Sequence, residues 1–196
     1  MLVYENFLPE SYIADLSSAV IAPDFGWHYN KYTVSDSHVS SYKKNVDIRE
    51  SILYTHGIFM NGIINSDYYP LFHPIKYFIE DRFGGKYEFQ RIKMNMLPPN
   101  YNYNGKHNTP HSDCFFDDDT SKTKTVLVYL NDSDGDTYFF DQYSFANVVE
   151  PNLTIHKSVT PKRNCAVMFE SNRLHASSPP SSSVRFTLNI VLKDIA

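Results

Sequence analysis

The spacing of apolar residues changes character near residue 85. Upstream of it, Tyr12, Ile13, Leu16, Ala19 and Val20 recur at helical spacing. Pro9 can open that helix with Glu10 in its first turn, and Pro23-Asp24-Phe25-Gly26 ends it. Asp47 can cap a second helix through Ile48, Ile52, Leu53 and Ile58. Ser66 or Asp67 can cap a third, with Leu71, Ile75, Phe78, Ile79 and Phe83 on one face and Gly84-Gly85 as its stop. Between these, Leu2 to Leu8 reads as a short strand or arm, Trp27 to Val34 alternates weakly, and the Ser-, Lys- and Tyr-rich stretch from Ser35 to Asn45 reads as a loop.

Downstream the period becomes two. Lys86 to Met96 sets Ile92, Met94 and Met96 against Arg91, Lys93 and Asn95. Pro98-Pro99 breaks this strand, and a loop containing Tyr101 and Tyr103 runs to Pro110, placed to act as a substrate lid. Thr123 to Asn131 sets Val126, Val128 and Leu130 against Thr125, Leu127 and Tyr129. Thr137 to Phe140, Leu153 to Val159 and Cys165 to Glu170 are further strands, with turns at Asp117-Asp118-Asp119 and Asp132-Ser133-Asp134-Gly135. In the last strand, Val184, Phe186, Leu188, Ile190 and Leu192 oppose Arg185, Thr187 and Asn189. Helices followed by about seven short strands predict a mainly β, antiparallel fold buttressed by N-terminal helices. The polar faces of the first and last strong strands fit a barrel with a ligand-lined interior; either one alone fits a solvent face equally well.

At 196 residues, 42% of them hydrophobic, the chain is sized for one domain. The expected division is helical support over about 1–85 and a strand core over about 86–196. A formal net charge of -4 gives no electrostatic footprint for a nucleic acid. No apolar run approaches the ~20 residues of a membrane span. The opening residues, Met1 to Asn6, lack the charged and apolar regions of a signal peptide. Two cysteines, Cys114 and Cys165, do not form a disulfide framework and point to a reducing, cytoplasmic setting.

The chemistry concentrates in Thr109-Pro110-His111-Ser112-Asp113. In an extended strand residues two apart share a face, so His111 and Asp113 can hold one ion between them. His175, in Glu170-Ser171-Asn172-Arg173-Leu174-His175-Ala176, is the candidate third ligand, and Arg185 follows inside the final strand. A single His-x-Asp or a single histidine is weak; order and context give the set its weight. Two histidines, one carboxylate and open coordination positions describe the facial triad of non-haem Fe(II) oxygenases.

This order of residues resembles the Fe(II)/2-oxoglutarate-dependent dioxygenases, in particular the prolyl-4-hydroxylase-like branch with its short microbial and phage members. The resemblance runs from about Tyr87 to the end of the chain. It implies a double-stranded β-helix, or jelly roll, with His111, Asp113 and His175 as iron ligands. It implies Fe(II), 2-oxoglutarate and O2 as cofactors, with ascorbate a candidate reductant. Arg185 is expected to hold the far carboxylate of 2-oxoglutarate, since its planar fork pairs with a carboxylate bidentately. Thr187 lies on the same strand face. Tyr129, in Val126-Leu127-Val128-Tyr129-Leu130-Asn131, resembles the family's Tyr-Leu-Asn strand and otherwise reads as a core aromatic. Asn95 and Lys93 are further co-substrate candidates, and His107 lies near enough in sequence to touch substrate.

The implied reaction is hydroxylation of an unactivated C–H bond with release of succinate and CO2. Asp113 argues against a halogenase, in which that position is left empty for chloride. Arg185 departs from the animal and plant prolyl hydroxylases, which carry Lys there, so the substrate reading stays broad: a prolyl or other residue of a peptide, or a free metabolite. Neither a nucleic acid nor a membrane is an expected partner. The competing classes are a jelly-roll binding module without turnover and a cupin-like enzyme that uses metal without 2-oxoglutarate.

Overall fold

The alternation of the strands becomes the two faces of one large antiparallel sheet. The computed structural model describes residues 1–34, 51–103, 107–113, 122–143 and 153–196. Among these the chain runs β1 (Leu2–Tyr4), α1 (Glu10–Val20), β2 (His28–Asn30), β3 (Leu53–Met60), β4 (Ile63–Ile64), α2 (Tyr69–Phe72), α3 (Ile75–Phe83) and β5 (Tyr87–Leu97). It continues through β6 (Thr123–Tyr129), β7 (Thr137–Tyr143), β8 (Ile155–Val159), β9 (Ala166–Glu170), β10 (Arg173–Ser177) and β11 (Arg185–Asp194). The major sheet has the order β1-β9-β6-β11-β5-β3-β2, with β4 paired to β3; the minor sheet has the order β10-β7-β8. Two facing antiparallel sheets with crossovers between them make the expected jelly roll.

The outer face of the major sheet is apolar and carries the helices. Ile92 and Met94 of β5, Val126 and Val128 of β6, and Leu188, Ile190 and Leu192 of β11 form one cluster with Ile13, Leu16 and Val20 of α1 and Ile75 and Ile79 of α3. Burying each of these aliphatic side chains contributes about 1.5–3 kcal/mol. A second cluster lies between the sheets, joining Leu127, Tyr129, Phe139, Val167 and Phe169. The rest of the inner face is polar, and register aligns it. Thr187 of β11 pairs with Asn95 of β5 and with Tyr129 of β6, and Asn189 pairs with Lys93 and with Leu127. The polar faces of β5 and β11 therefore form one strip inside the jelly roll.

Two expectations are corrected. Residues 53–60 form strand β3, not the end of a helix, and pair with β5 and β2. Gly57 disfavours a helix there by about 1 kcal/mol, and the β-forming Tyr54, Thr55, Ile58 and Phe59 complete a half-buried strand. The helix expected from Ser66 or Asp67 to Phe83 is two helices. Pro74 has no N–H to donate, so α2 stops at Phe72 and α3 starts behind the proline before ending at Gly84, φ 76°. Residues 173–177, between the strands expected at Cys165 to Glu170 and at 184–192, form a further strand, β10, which carries His175. The loop at 35–45, the cap at Asp47, the acidic turn at Asp117-Asp118-Asp119 and Cys114 lie outside the described residues. No described helix is long and apolar enough to cross a membrane.

Two local devices fix the ends of the structure. Asn164, in the left-handed region at φ 64°, binds the N-terminal arm: its Nδ2 donates to Leu8 O and its Oδ1 accepts from Leu8 N, both at 2.8 Å. This seats β1 along β9, with Val3 opposite Val167. At the far end, Gly135 lies under the segment that leads into β11. A Cβ there would lie 2.6 Å from Ser178 O and 2.8 Å from Pro180 N, both backbone atoms. Gly135→Ala should therefore lower unfolding free energy by about 1–3 kcal/mol in denaturant titration, with the m-value unchanged.

Candidate metal centre and co-substrate cavity

His111 and His175 come together through their backbones. Each donates its N–H to the other's carbonyl, both at 2.9 Å, as in a hydrogen-bonded antiparallel pair. The two side chains then stand on one face, with ring centroids 4.5 Å apart. The segment continues antiparallel to β10: Asn108 N donates to Ser177 O, and Asp113 N to Ser171 O, each at 2.8 Å. Residues 107–113 thus run alongside β10 through one isolated bridge and two flanking hydrogen bonds, and the His-x-Asp spacing turns both ligands the same way.

Each imidazole is oriented by a carbonyl. Nδ1 of His175 lies 3.1 Å from Arg173 O, and Nδ1 of His111 lies 3.3 Å from Thr109 O. With Nδ1–H donating, the Nε2 lone pair is left for a metal. Nε2 of His175 is 3.4 Å from Asp113 Oδ2. One donor atom from each of His111, Asp113 and His175 falls within 4.8 Å of the others. Two neutral imidazole nitrogens and one carboxylate oxygen are a donor set that suits Fe(II).

Asp113 is itself held. Arg91 Nη2 donates to Oδ1 at 2.5 Å, and Asn189 Nδ2 donates to Oδ2 at 3.0 Å. The same Arg91 nitrogen donates to Asn189 Oδ1 at 2.9 Å, closing a triangle. Burial alone would favour the neutral acid, but the Arg91 charge and His175 hold Asp113 well below the usual carboxylate range. Burial, together with the neighbouring His175, pulls the His111 imidazole down to about 3, so it is neutral and ready to ligate. Lys93 is pulled down to about 8 by burial and by Arg91, with Asp113 acting in the opposite sense.

The expected residues His111, Asp113, His175, Arg185, Thr187 and Asn95 line one cavity of about 550 Å³, measured out to its open mouth. Lys93 lines it as well. Arg185 stands at one end, buried, its Nη2 donating to Thr137 Oγ1 at 2.6 Å. Its guanidinium lies 5.6 Å above the Tyr129 ring, and the Tyr129 hydroxyl is 2.8 Å from the same Thr137 oxygen. Tyr129 is thus packed beneath Arg185 and is not in the cavity wall. Among the described residues, Arg185 Nε and Asn95 Oδ1 are buried without a hydrogen-bond partner. A polar ligand in the cavity would satisfy them. His107 is not part of this wall and packs against Tyr138 and Phe140.

The fold and this site define a class. Residues 99–193 match the family model described as 2OG-Fe(II) oxygenase superfamily, and the chain belongs to that superfamily. It is a 2-oxoglutarate-dependent oxygenase whose cofactors are Fe(II), 2-oxoglutarate and O2. Among solved structures it resembles the alpha-ketoglutarate-dependent carbocyclase SnoK from nogalamycin biosynthesis, at 12% identity over 95% of this chain and 84% of that one, with a TM-score of 0.55. AviO1 from Streptomyces viridochromogenes Tue57 aligns at 13% identity over 94% of this chain and 96% of its own, TM-score 0.54. The epimerase SnoN, in a complex with Fe3+, alpha ketoglutarate and nogalamycin RO, aligns at 14% identity over 95% and 85%, TM-score 0.50. At such identities the likeness is one of fold. No curated protein matches the chain in sequence.

Sequence reasoning passed over Arg91 and Asn189 as partners of Asp113. Both stand on the polar faces that alternation identifies, but nothing in the spacing says which residue of a face meets the carboxylate. Replacing Arg91 by Leu leaves a buried carboxylate half-partnered, so metal affinity should fall about 10–100-fold in a Mn(II) or Fe(II) titration. A second expectation follows from His111. The unfolded chain protonates this imidazole near about 6.5, the folded chain only near about 3. Folding stability of the metal-free protein should therefore fall as pH drops through that window. Melting temperature against pH should decline less steeply for His111→Leu than for the parent chain.

Proposed function

We propose that this oxygenase hydroxylates an unactivated C–H bond, with a prolyl or other amino-acid residue of a peptide as the leading substrate class and a free small metabolite as the second. The observation that carries this reading is a single cavity holding three ligand atoms within 4.8 Å of one another together with a buried arginine whose Nε lacks a partner. In this reading His111, Asp113 and His175 hold the iron. Arg185 binds the far carboxylate of 2-oxoglutarate, assisted by Thr187 and Asn95. Once bound, Fe(II) with 2-oxoglutarate and O2 supplies the oxidising power for C–H attack, releasing succinate and CO2.

The chain's own contribution is placement and exclusion of water. Tyr129 and Thr137 hold the Arg185 fork before any ligand arrives, so little side-chain freedom is lost on binding. Arg91 and Asn189 fix the carboxylate of Asp113, and the carbonyls of Thr109 and Arg173 fix the two imidazoles. Leu53, Leu97 and Leu127 supply the apolar part of the wall. A single unit of residues 1–196, with the helices bracing the sheet from outside, and a reducing cytoplasmic setting that keeps the iron ferrous complete the proposal.

Purified protein given Fe(II), 2-oxoglutarate and O2 should release succinate slowly, and faster when a peptide or metabolite is accepted, which then gains one oxygen atom by mass spectrometry. A binding module would release none. A metal enzyme that ignores 2-oxoglutarate would not develop the metal-to-ligand charge-transfer band under anaerobic conditions. Arg185→Ala should weaken 2-oxoglutarate binding by at least about tenfold, the loss of a charge-assisted pair, while Mn(II) affinity stays close to that of the parent. An unchanged 2-oxoglutarate affinity would remove Arg185 from its role.

A further inference from the structure

The cavity carries a second cation for which the reading above has no use. Lys93 lines the same space as the three ligands and Arg185. Among the described residues its ammonium makes no hydrogen bond and no ion pair. The acid nearest in charge, Asp113, has one oxygen taken by Arg91 and the other by Asn189. Asp136, behind Arg185, uses its carboxylate to accept from Thr160 Oγ1 at 2.7 Å. Among the described residues, the charged side chains of the wall are two cations, Lys93 and Arg185, and one carboxylate, Asp113, which is paired with Arg91. Lys93 is half-buried on the polar face of β5, so its charge is only partly solvated, and an anion entering the cavity can pair with it.

Register separates the two cations. Arg185 stands opposite Leu97 on β5, whereas Lys93 stands opposite Asn189, four residues further along β11. At ~3.3 Å per residue that is roughly 13 Å between strand positions. Asn189 is also the residue that holds Asp113, so Lys93 lies at the ligand end of the strip and Arg185 at the other. On its other side Lys93 stands opposite Gly57 of β3, where nothing comes within 4 Å of the place a Cβ would occupy. The side chain of Lys93 is therefore uncrowded from the β3 side of the strip.

Building on the proposed oxygenase function, we propose that Lys93 anchors a carboxylate of the prime substrate, so that the molecule oxidised is itself an acid. A lysine offers a compact charge without the planar fork of arginine. One such group, with no helix N-terminus lining the cavity among the described residues, suits a singly charged carboxylate better than a phosphate.

The probes are acetate, which carries that group, and acetamide, which has its shape without its charge. Each is titrated into the protein loaded anaerobically with Fe(II) and 2-oxoglutarate, reading the position of the charge-transfer band. The parent chain should show a saturable shift with acetate and none with acetamide. Lys93→Met should lose at least about tenfold in acetate affinity and Lys93→Arg should retain most of it, while 2-oxoglutarate affinity stays unchanged in both. Equal responses to the two probes, no saturable response in the parent, bleaching of the band by displaced 2-oxoglutarate, or a parental response from Lys93→Met would each overturn the assignment of Lys93 alone. Failure of the parent to form the band at all would remove the oxygenase reading and this one with it. The metal-free proteins give an independent readout: acetate should raise the melting temperature of the parent and not of Lys93→Met.

Discussion

Everything at the centre depends on one pair of backbone hydrogen bonds, the mutual exchange between His111 and His175. Neither histidine belongs to a long strand, and the segment that carries His111 has little regular structure of its own. The exchange gives both residues one register, and register decides which way the side chains point. A slip of a single residue would turn the imidazoles to opposite faces and separate the ligands. The carbonyls of Thr109 and Arg173 then settle the tautomers, so a metal meets lone pairs already aimed at it.

Around that pair the interior is arranged by charge. The buried carboxylate of Asp113 would ordinarily favour protonation, which would spoil it as an anionic ligand. The guanidinium of Arg91 and the amide of Asn189 reverse the preference, at the cost of placing further positive charge near a dication. Tyr129 plays a comparable part for Arg185, offering its ring face and, through Thr137, a shared oxygen. The inner strip is therefore a set of mutually supporting polar contacts, while the outer face of the same strands does the hydrophobic work of holding α1 and α3.

Much of this was legible from residue order. Alternation along 86–96 and 184–192 separated the polar strip from the apolar face, and the His-x-Asp, His and Arg order located the centre. What was not legible has identifiable physical causes. β3 reads as a helix because Ile52, Leu53 and Ile58 satisfy helical spacing loosely; pairing with β5 overrides that signal. β10 is only Arg173–Ser177, too short for its alternation to stand out, and its pairing with 107–113 and β7 lies far off in sequence. Tyr129 lies on the correct face, but its position beneath Arg185 rather than in the wall depends on Thr137, a residue that no motif marks. The triangle of Arg91, Asp113 and Asn189 joins three separate segments, and only the folded chain shows that they meet.

The arm bound by Asn164 has a consequence beyond the anchoring of the N-terminus. β1 is a short ribbon of three residues, and it covers β9, whose Ala166, Val167, Met168 and Phe169 are nearly all apolar. Without the arm, those residues would present a row of unsatisfied amides and carbonyls on a greasy border. Such a border invites another molecule to dock strand against strand. The clasp of Asn164 around Leu8, with the ladder of β1 along β9, thereby keeps that border paired within its own chain.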